Sequence, residues 1–214
     1  MSALFDRLEA LFAQGHETDI PDLMSDARFA DAERTADAAV LIAVTDRPRG
    51  LKQRSGRPDW DGPGVILTQR PHGMRDHPGQ VAFPGGKIDP GEDAIAAALR
   101  EAEEELAMRR ADVRVIGATD RYQTGTGFDI TPVLGVVPPD LPLVANPHEV
   151  EAWFEAPLDV LLDRGSWTEH EVFWNGAMRR YLEYHYQGFR IWGVTAAIIA
   201  NLSRRIEYRA LFDA

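Results

Sequence analysis

The chain contains no cysteine. That excludes disulfides, thiolate zinc sites and a cysteine nucleophile. Lysine is scarce, with Lys52 and Lys87 the only two, so arginine supplies nearly all the positive charge. Its planar fork can grip a phosphate through two parallel hydrogen bonds. Positive charge is short overall: the net charge of -11 argues against nucleic-acid binding and against adhesion to an anionic membrane. No apolar run reaches the ~18 residues of a membrane span. The start, Met1 to Glu9, lacks a basic segment followed by an apolar one, so a cytoplasmic location is expected.

What is present suits an ordinary globular domain. Apolar residues make up 44% of the 214 positions, enough for one core plus an added terminal element. The expected division is a helical extension over 1–36 and a main domain over 37–214. Leu4, Phe5, Leu8, Leu11 and Phe12 form a helical stripe ended by Gly15. It would pack on the domain or on a second subunit, which makes a homodimer one expectation. A short helix is expected around Pro21 to Ala30. Ala38–Thr45 reads as a buried strand, followed by an Arg-, Gly- and Pro-rich loop to Gly64. Its cations Arg47, Arg49, Lys52, Arg54 and Arg57 are either an electrostatic guide or a solvated surface, the latter favoured. Val65–Gln69, Val113–Ile116, Ala118–Gln123, Ile130–Val137 and Val150–Phe154 read as strands, and Pro157–Asp163 as a short helix. Asn175-Gly176 marks a hairpin, and a helix is expected from about Thr195 to Arg204.

The densest chemistry lies between Gly86 and Met108. From Asp93 onward the spacing predicts one helix, with Ile95, Ala98, Leu99, Ala102 and Leu106 facing a core. Glu101, Glu104 and Glu105 fall together beside that stripe. Like charges at i,i+4 cost roughly 0.2–0.5 kcal/mol, and three carboxylates on one face are either a solvated acidic surface or a seat for a hard divalent ion, the stretch upstream favouring the latter. Upstream, Pro84-Gly85-Gly86 and Pro90-Gly91 read as turns.

Gly86, Glu92, Arg100-Glu101-Ala102 and Glu104-Glu105 together resemble the Nudix box, the motif of hydrolases that split diphosphates linked to another moiety. One position departs, Ala107 standing where the family has glycine. Residues 67–86 resemble the pattern of the coenzyme A diphosphatase branch at Leu67, Thr68, Arg70, Arg75, Gly79 and Phe83 to Gly86. There Ile66 replaces the usual leucine, and Pro71 stands where serine or alanine is expected. Asn146 to Val150 and Ile191 to Ala196 resemble the same branch.

The resemblance implies an α/β fold, the Nudix α/β/α sandwich with a mixed sheet. It implies Mg²⁺ or Mn²⁺ held by Glu101, Glu105 and Glu104 with the Gly86 carbonyl, Arg100 bracing the carboxylates and Glu149 as a further acidic candidate. Substrate contacts are expected from Arg70, Arg75, Phe83, Gly85 and Lys87. Glu92 would secure the loop to the helix start. The implied substrate is coenzyme A or an acyl form, cleaved to 3′,5′-ADP and a 4′-phosphopantetheine. Two alternatives stand beside it: another nucleoside diphosphate derivative (ADP-ribose, a dinucleotide or a damaged nucleotide), and a non-catalytic nucleotide-binding regulator.

Overall fold

The computed structural model describes residues 3–26, 36–48, 62–75, 77–174 and 177–211. The first element is α1 (Ala3–Gly15), followed by strands β1 (Ala36–Thr45), β2 (Gly64–Gln69), β3 (Val81–Ala82) and β4 (Gly85–Lys87). Next come α2 (Ala94–Leu106), β5 (Arg114–Ala118), β6 (Tyr122–Gln123) and β7 (Phe128–Val137). The remainder is β8 (Ala152–Pro157), α3 (Leu158–Leu162), β9 (Thr168–Trp174), β10 (Ala177–Tyr186), β11 (Phe189–Trp192) and α4 (Gly193–Arg205).

β1 and β7 pair in parallel over their whole length, from Ala36↔Phe128 to Thr45↔Val137. β2 and β4 join β1 antiparallel, β3 and β8 join β2, and β5 and β6 join β7. The result is a mixed eight-stranded sheet. Alternation along β1 explains its two faces. Ala39, Leu41 and Ala43 pack with Ala97, Ala98, Ala102 and Leu106 of α2. Ile42 and Val44 pack on the other face with Phe5 and Leu8 of α1, Leu158 and Leu161 of α3, and Ile198, Ile199 and Leu202 of α4. Helices on both faces of a mixed sheet make the α/β/α sandwich. The stripe of α1 is thus spent on the domain itself. β9, β10 and β11 form a separate antiparallel sheet, and Gln187-Gly188 turns β10 into β11 with both residues at positive φ.

Several expectations shift. Pro84–Gly86 is not a turn: Gly85 to Lys87 is a strand paired with Val40 to Ala38. The glycines are needed there for close approach. A Cβ on Gly85 would sit 2.7 Å from Val40 Cα. Strand β8 begins two residues later than expected, and Val150 is instead a core side chain. Residues 21–26 form a turn and irregular chain rather than a helix start, and the rest of that expected helix lies outside the described residues. Arg47 is no guide for substrate: it is buried and paired with Asp140 at 3.0 Å and Glu155 at 2.7 Å. Arg49, Lys52, Arg54 and Arg57 lie outside the described residues.

Candidate active site

Asp93 starts α2, its Oδ1 accepting the Ala96 N–H at 2.8 Å. The packing stripe is rotated from the one expected. Ala97 is buried and Ile95 is exposed, because the face toward the sheet needs small residues. That rotation turns Glu105 inward, where it is only 5% exposed. Glu101 lies at the margin and Glu104 faces solvent.

The expected trio therefore changes membership. Carboxylate oxygens of Glu101, Glu105 and Glu149 lie within 4.8 Å of one another, and Glu104 is outside the group. Glu149 arrives on a loop that docks on the end of α2. The Val144 N–H donates to the Leu106 carbonyl at 2.9 Å, and the Asn146 N–H to the Glu105 carbonyl at 2.8 Å. These bonds satisfy two of the carbonyls a helix end leaves open. Asn146 then accepts the backbone N–H groups of Glu149 (3.0 Å) and Val150 (2.8 Å). A single Asn-Pro-His-Glu run thus both caps the helix and aims the third acid.

The floor beneath the acids is β4. A Cβ on Gly86 would come within 2.5 Å of Glu101 Cδ, so only glycine lets this carboxylate lie flat on the strand. Arg100 fixes the arrangement from outside. Its Nη1 donates to Glu101 Oε1 (2.8 Å) and Glu104 Oε2 (3.1 Å), its Nη2 to the Lys87 carbonyl (3.0 Å), and its Nε to Glu92 (3.2 Å). Glu92 also accepts the Asp89 N–H at 3.3 Å, tying the turn at Gly91 to the helix.

Left to itself, the trio is electrostatically incomplete. Glu105 Oε2 is buried with no hydrogen-bond partner. Burial, then repulsion from Glu101 and Glu149, pushes the Glu105 carboxyl up to about 8, although Arg70 and a hydrogen bond to the Gly85 backbone pull the other way. Burial also raises Glu101, against the opposing pull of Arg100. An unpartnered buried oxygen among three clustered carboxylates fits a hard divalent cation of the Mg²⁺ or Mn²⁺ kind.

The other expected residues separate. Arg70 faces Glu105 electrostatically, and its Nε is buried without a hydrogen-bond partner. Arg75 and Lys87 are exposed, Lys87 Nζ lying 5.8 Å from the Phe128 ring centre. Phe83 is not at the surface: it is a core side chain on the α4 face of the sheet, and cannot touch substrate. His72 pairs with Glu151 at 2.9 Å. Helix α2 ends with Ala107 at φ 54, its N–H bonding the Glu103 carbonyl at 2.9 Å, so alanine adopts the left-handed cap that glycine would take more easily.

A family model described as the NUDIX domain matches residues 52–179. The chain belongs to the Nudix hydrolase family. It is 43% identical over 170 residues to an uncharacterized Nudix hydrolase, NudL, of Escherichia coli K12, covering 79% of this chain and 82% of that one. The NudL of Escherichia fergusonii is 42% identical over the same lengths. Among solved structures, the Nudix hydrolase RenU of M. smegmatis matches 86% of this chain and 90% of its own with a TM-score of 0.52 at 21% identity, a likeness of fold. The protein is accordingly a Nudix enzyme, a hydrolase of pyrophosphate bonds, and its box carries two of the three clustered carboxylates, Glu101 and Glu105. Nudix hydrolases generally use divalent ions such as Mg²⁺ or Mn²⁺.

Proposed function

We propose that this Nudix hydrolase cleaves the diphosphate of coenzyme A or an acyl-coenzyme A, giving 3′,5′-ADP and a 4′-phosphopantetheine. One observation carries the reading: the three stretches resembling the coenzyme A branch, distant in sequence, meet in the fold. Thr195, in the Ile191–Ala196 run, donates its hydroxyl to the Val81 carbonyl at 2.9 Å. Val81 lies within the 67–86 stretch and pairs with Gln69, next to Arg70. Arg70 in turn faces Glu105, whose carbonyl accepts from Asn146 of the third run. A substrate-reading surface made of all three would adjoin the acids.

In this reading Glu101, Glu105 and Glu149 hold the ion, with the Gly86 carbonyl beside them. The ion supplies charge neutralisation at the diphosphate and acidifies water. Arg70 holds a phosphate oxygen with the donor that now lacks a partner, and Arg75 approaches from the exposed loop. Backbone groups at Gly85 and Lys87 line the floor. Arg100 keeps Glu101 and Glu104 in register. Glu104, on the solvent side, takes up the proton of the attacking water as its oxygen bonds to phosphorus and the bridging P–O bond breaks.

The test is a substrate panel with Mn²⁺ and Mg²⁺, comparing coenzyme A, acetyl-coenzyme A, ADP-ribose and a diadenosine polyphosphate. Release of 3′,5′-ADP with the highest kcat/KM supports the reading. Pro71 favours a second one, because a proline stiffens the chain just after Arg70; preference for ADP-ribose or a dinucleotide would select it. A folded protein that turns over none of them with either ion would be a binding regulator instead.

A further inference from the structure

Trp153 is a large aromatic left 38% exposed on β8. Its cross-strand partner is Thr68 of β2, and paired residues share a face of the sheet. That face is the one carrying α2 and the acids. Ile66, two residues before Thr68, packs in the α2-side core, and Arg70 stands two residues after it. Phe154 takes the opposite face, stacking on Phe189 with ring centres 3.9 Å apart.

The neighbours of Trp153 along its own face are already committed. Glu151 accepts from His72, and Glu155 is buried against Arg47. The indole is thus an exposed apolar ring framed by the His72–Glu151 hydrogen bonds and the Arg47–Glu155 ion pair, diagonal to Arg70. Diagonal neighbours across strands stand roughly 7–8 Å apart. Glu149 precedes Trp153 by four residues, which span at most about 14 Å when extended. A diphosphate held at the acids and Arg70 would carry its attached nucleoside across this ring.

We propose that Trp153 is the base-stacking residue of the site, its indole receiving the nucleobase of the substrate and setting affinity rather than chemistry. This rests on the substrate being a nucleoside diphosphate derivative, and not on coenzyme A in particular. A planar base suits an exposed indole because stacking needs no hydrogen-bond code and covers apolar surface on both partners.

The test compares wild type, Trp153→Ala and Trp153→Phe by calorimetric titration with 5′-AMP, 3′,5′-ADP and base-free ribose 5-phosphate, in Mg²⁺. Melting curves confirm that each variant is folded. Trp153→Ala should weaken both nucleotides roughly 5- to 150-fold, the range of one lost stacking contact, and leave ribose 5-phosphate unchanged. Trp153→Phe should keep most of the affinity. With a cleavable substrate, KM should rise in Trp153→Ala while kcat holds. Equal weakening of ribose 5-phosphate, no preference of the wild type for 5′-AMP over it, or unchanged nucleotide binding would each overturn the proposal. So would a wild-type dimer in sedimentation that Trp153→Ala dissociates without altering nucleotide affinity. If nucleotide binding follows the expectation while coenzyme A is left intact, Trp153 keeps its role and the coenzyme A reading falls. If coenzyme A is cleaved and titrations do not move, the reverse holds.

Discussion

Two buried charge clusters in this protein follow opposite rules. Around Arg205 every group finds its partner within the chain. Its Nε and Nη2 bond both oxygens of Asp120 at 2.8 and 2.7 Å, and its Nη1 donates to the carbonyls of Gly15 and Thr18 at 2.8 and 2.6 Å. One guanidinium thereby ties α4 to the end of α1 and to the segment after β5, and its hydrogen bonds hold the Asp120 carboxyl below the usual carboxylate range. Around Glu105 three acids meet, one oxygen has no partner, and the carboxyl is pushed up to about 8. The first cluster stabilises the fold by itself. The second burdens the fold with an uncompensated acid, which supports the proposal that a cation from outside would complete the set.

Breaking each cluster should therefore have opposite consequences. The largest expected effect is on turnover: Glu105→Gln should lower kcat/KM by more than about a hundredfold, because even outer partners of metal ligands are worth 10- to 100-fold. Steady-state hydrolysis of the preferred substrate checks this. Next comes Asp120→Ala, which leaves the Arg205 guanidinium half-paired and should cost about 3 kcal/mol in denaturant melts, with the catalytic constants little changed at temperatures where the variant is folded.

The third contrast concerns pH. The Glu105 carboxyl rises from its ordinary 4.5 to about 8 on folding, so between those values the native state holds a proton that the unfolded chain has released. Stability of the ion-free protein should be highest below about pH 4.5 as far as this group is concerned, and fall as pH climbs toward 8. Melting in a chelator from pH 5 to 8.5 should show that decline. Mg²⁺ or Mn²⁺ should reverse it, and Glu105→Gln should flatten it. The smallest expected effect is at the helix end. Ala107→Gly should raise stability by about 1 kcal/mol, since a left-handed alanine carries a penalty glycine lacks, without changing kcat/KM.

Much of the fold could be read from local pattern. The apolar runs of β1, β2 and β7, the stripe of α1, the hairpin of β9 and β10, the start of α2 at Asp93 and the extent of α4 all follow from residues close in sequence. What escaped depended on distant partners. Residues 84–86 have the composition of a turn, and only pairing with β1 makes them a strand. Phe83 looked like part of a recognition pattern, yet its position beside β3 sends it into the core. Arg47 looked like a loose loop cation until Asp140 and Glu155, far along the chain, closed on it. Within the site, the wheel of α2 located Glu101 and Glu105 but could not rank Glu104 against Glu149. Small Ala97 rotates the helix onto the sheet, and Glu149 belongs to another segment altogether. The Asn146–Val150 run held the signal for that acid, and its docking on the open carbonyls of α2 supplies the physical reason.

That docking has one further consequence. Two of the clustered acids ride on a helix, and the third rides on the proline-rich segment joining β7 to β8. A cation gripped by all three would act as a rivet added to the main-chain bonds at the helix end and the core packing of Leu141, Leu143 and Val150, so loading the site would also stiffen that segment.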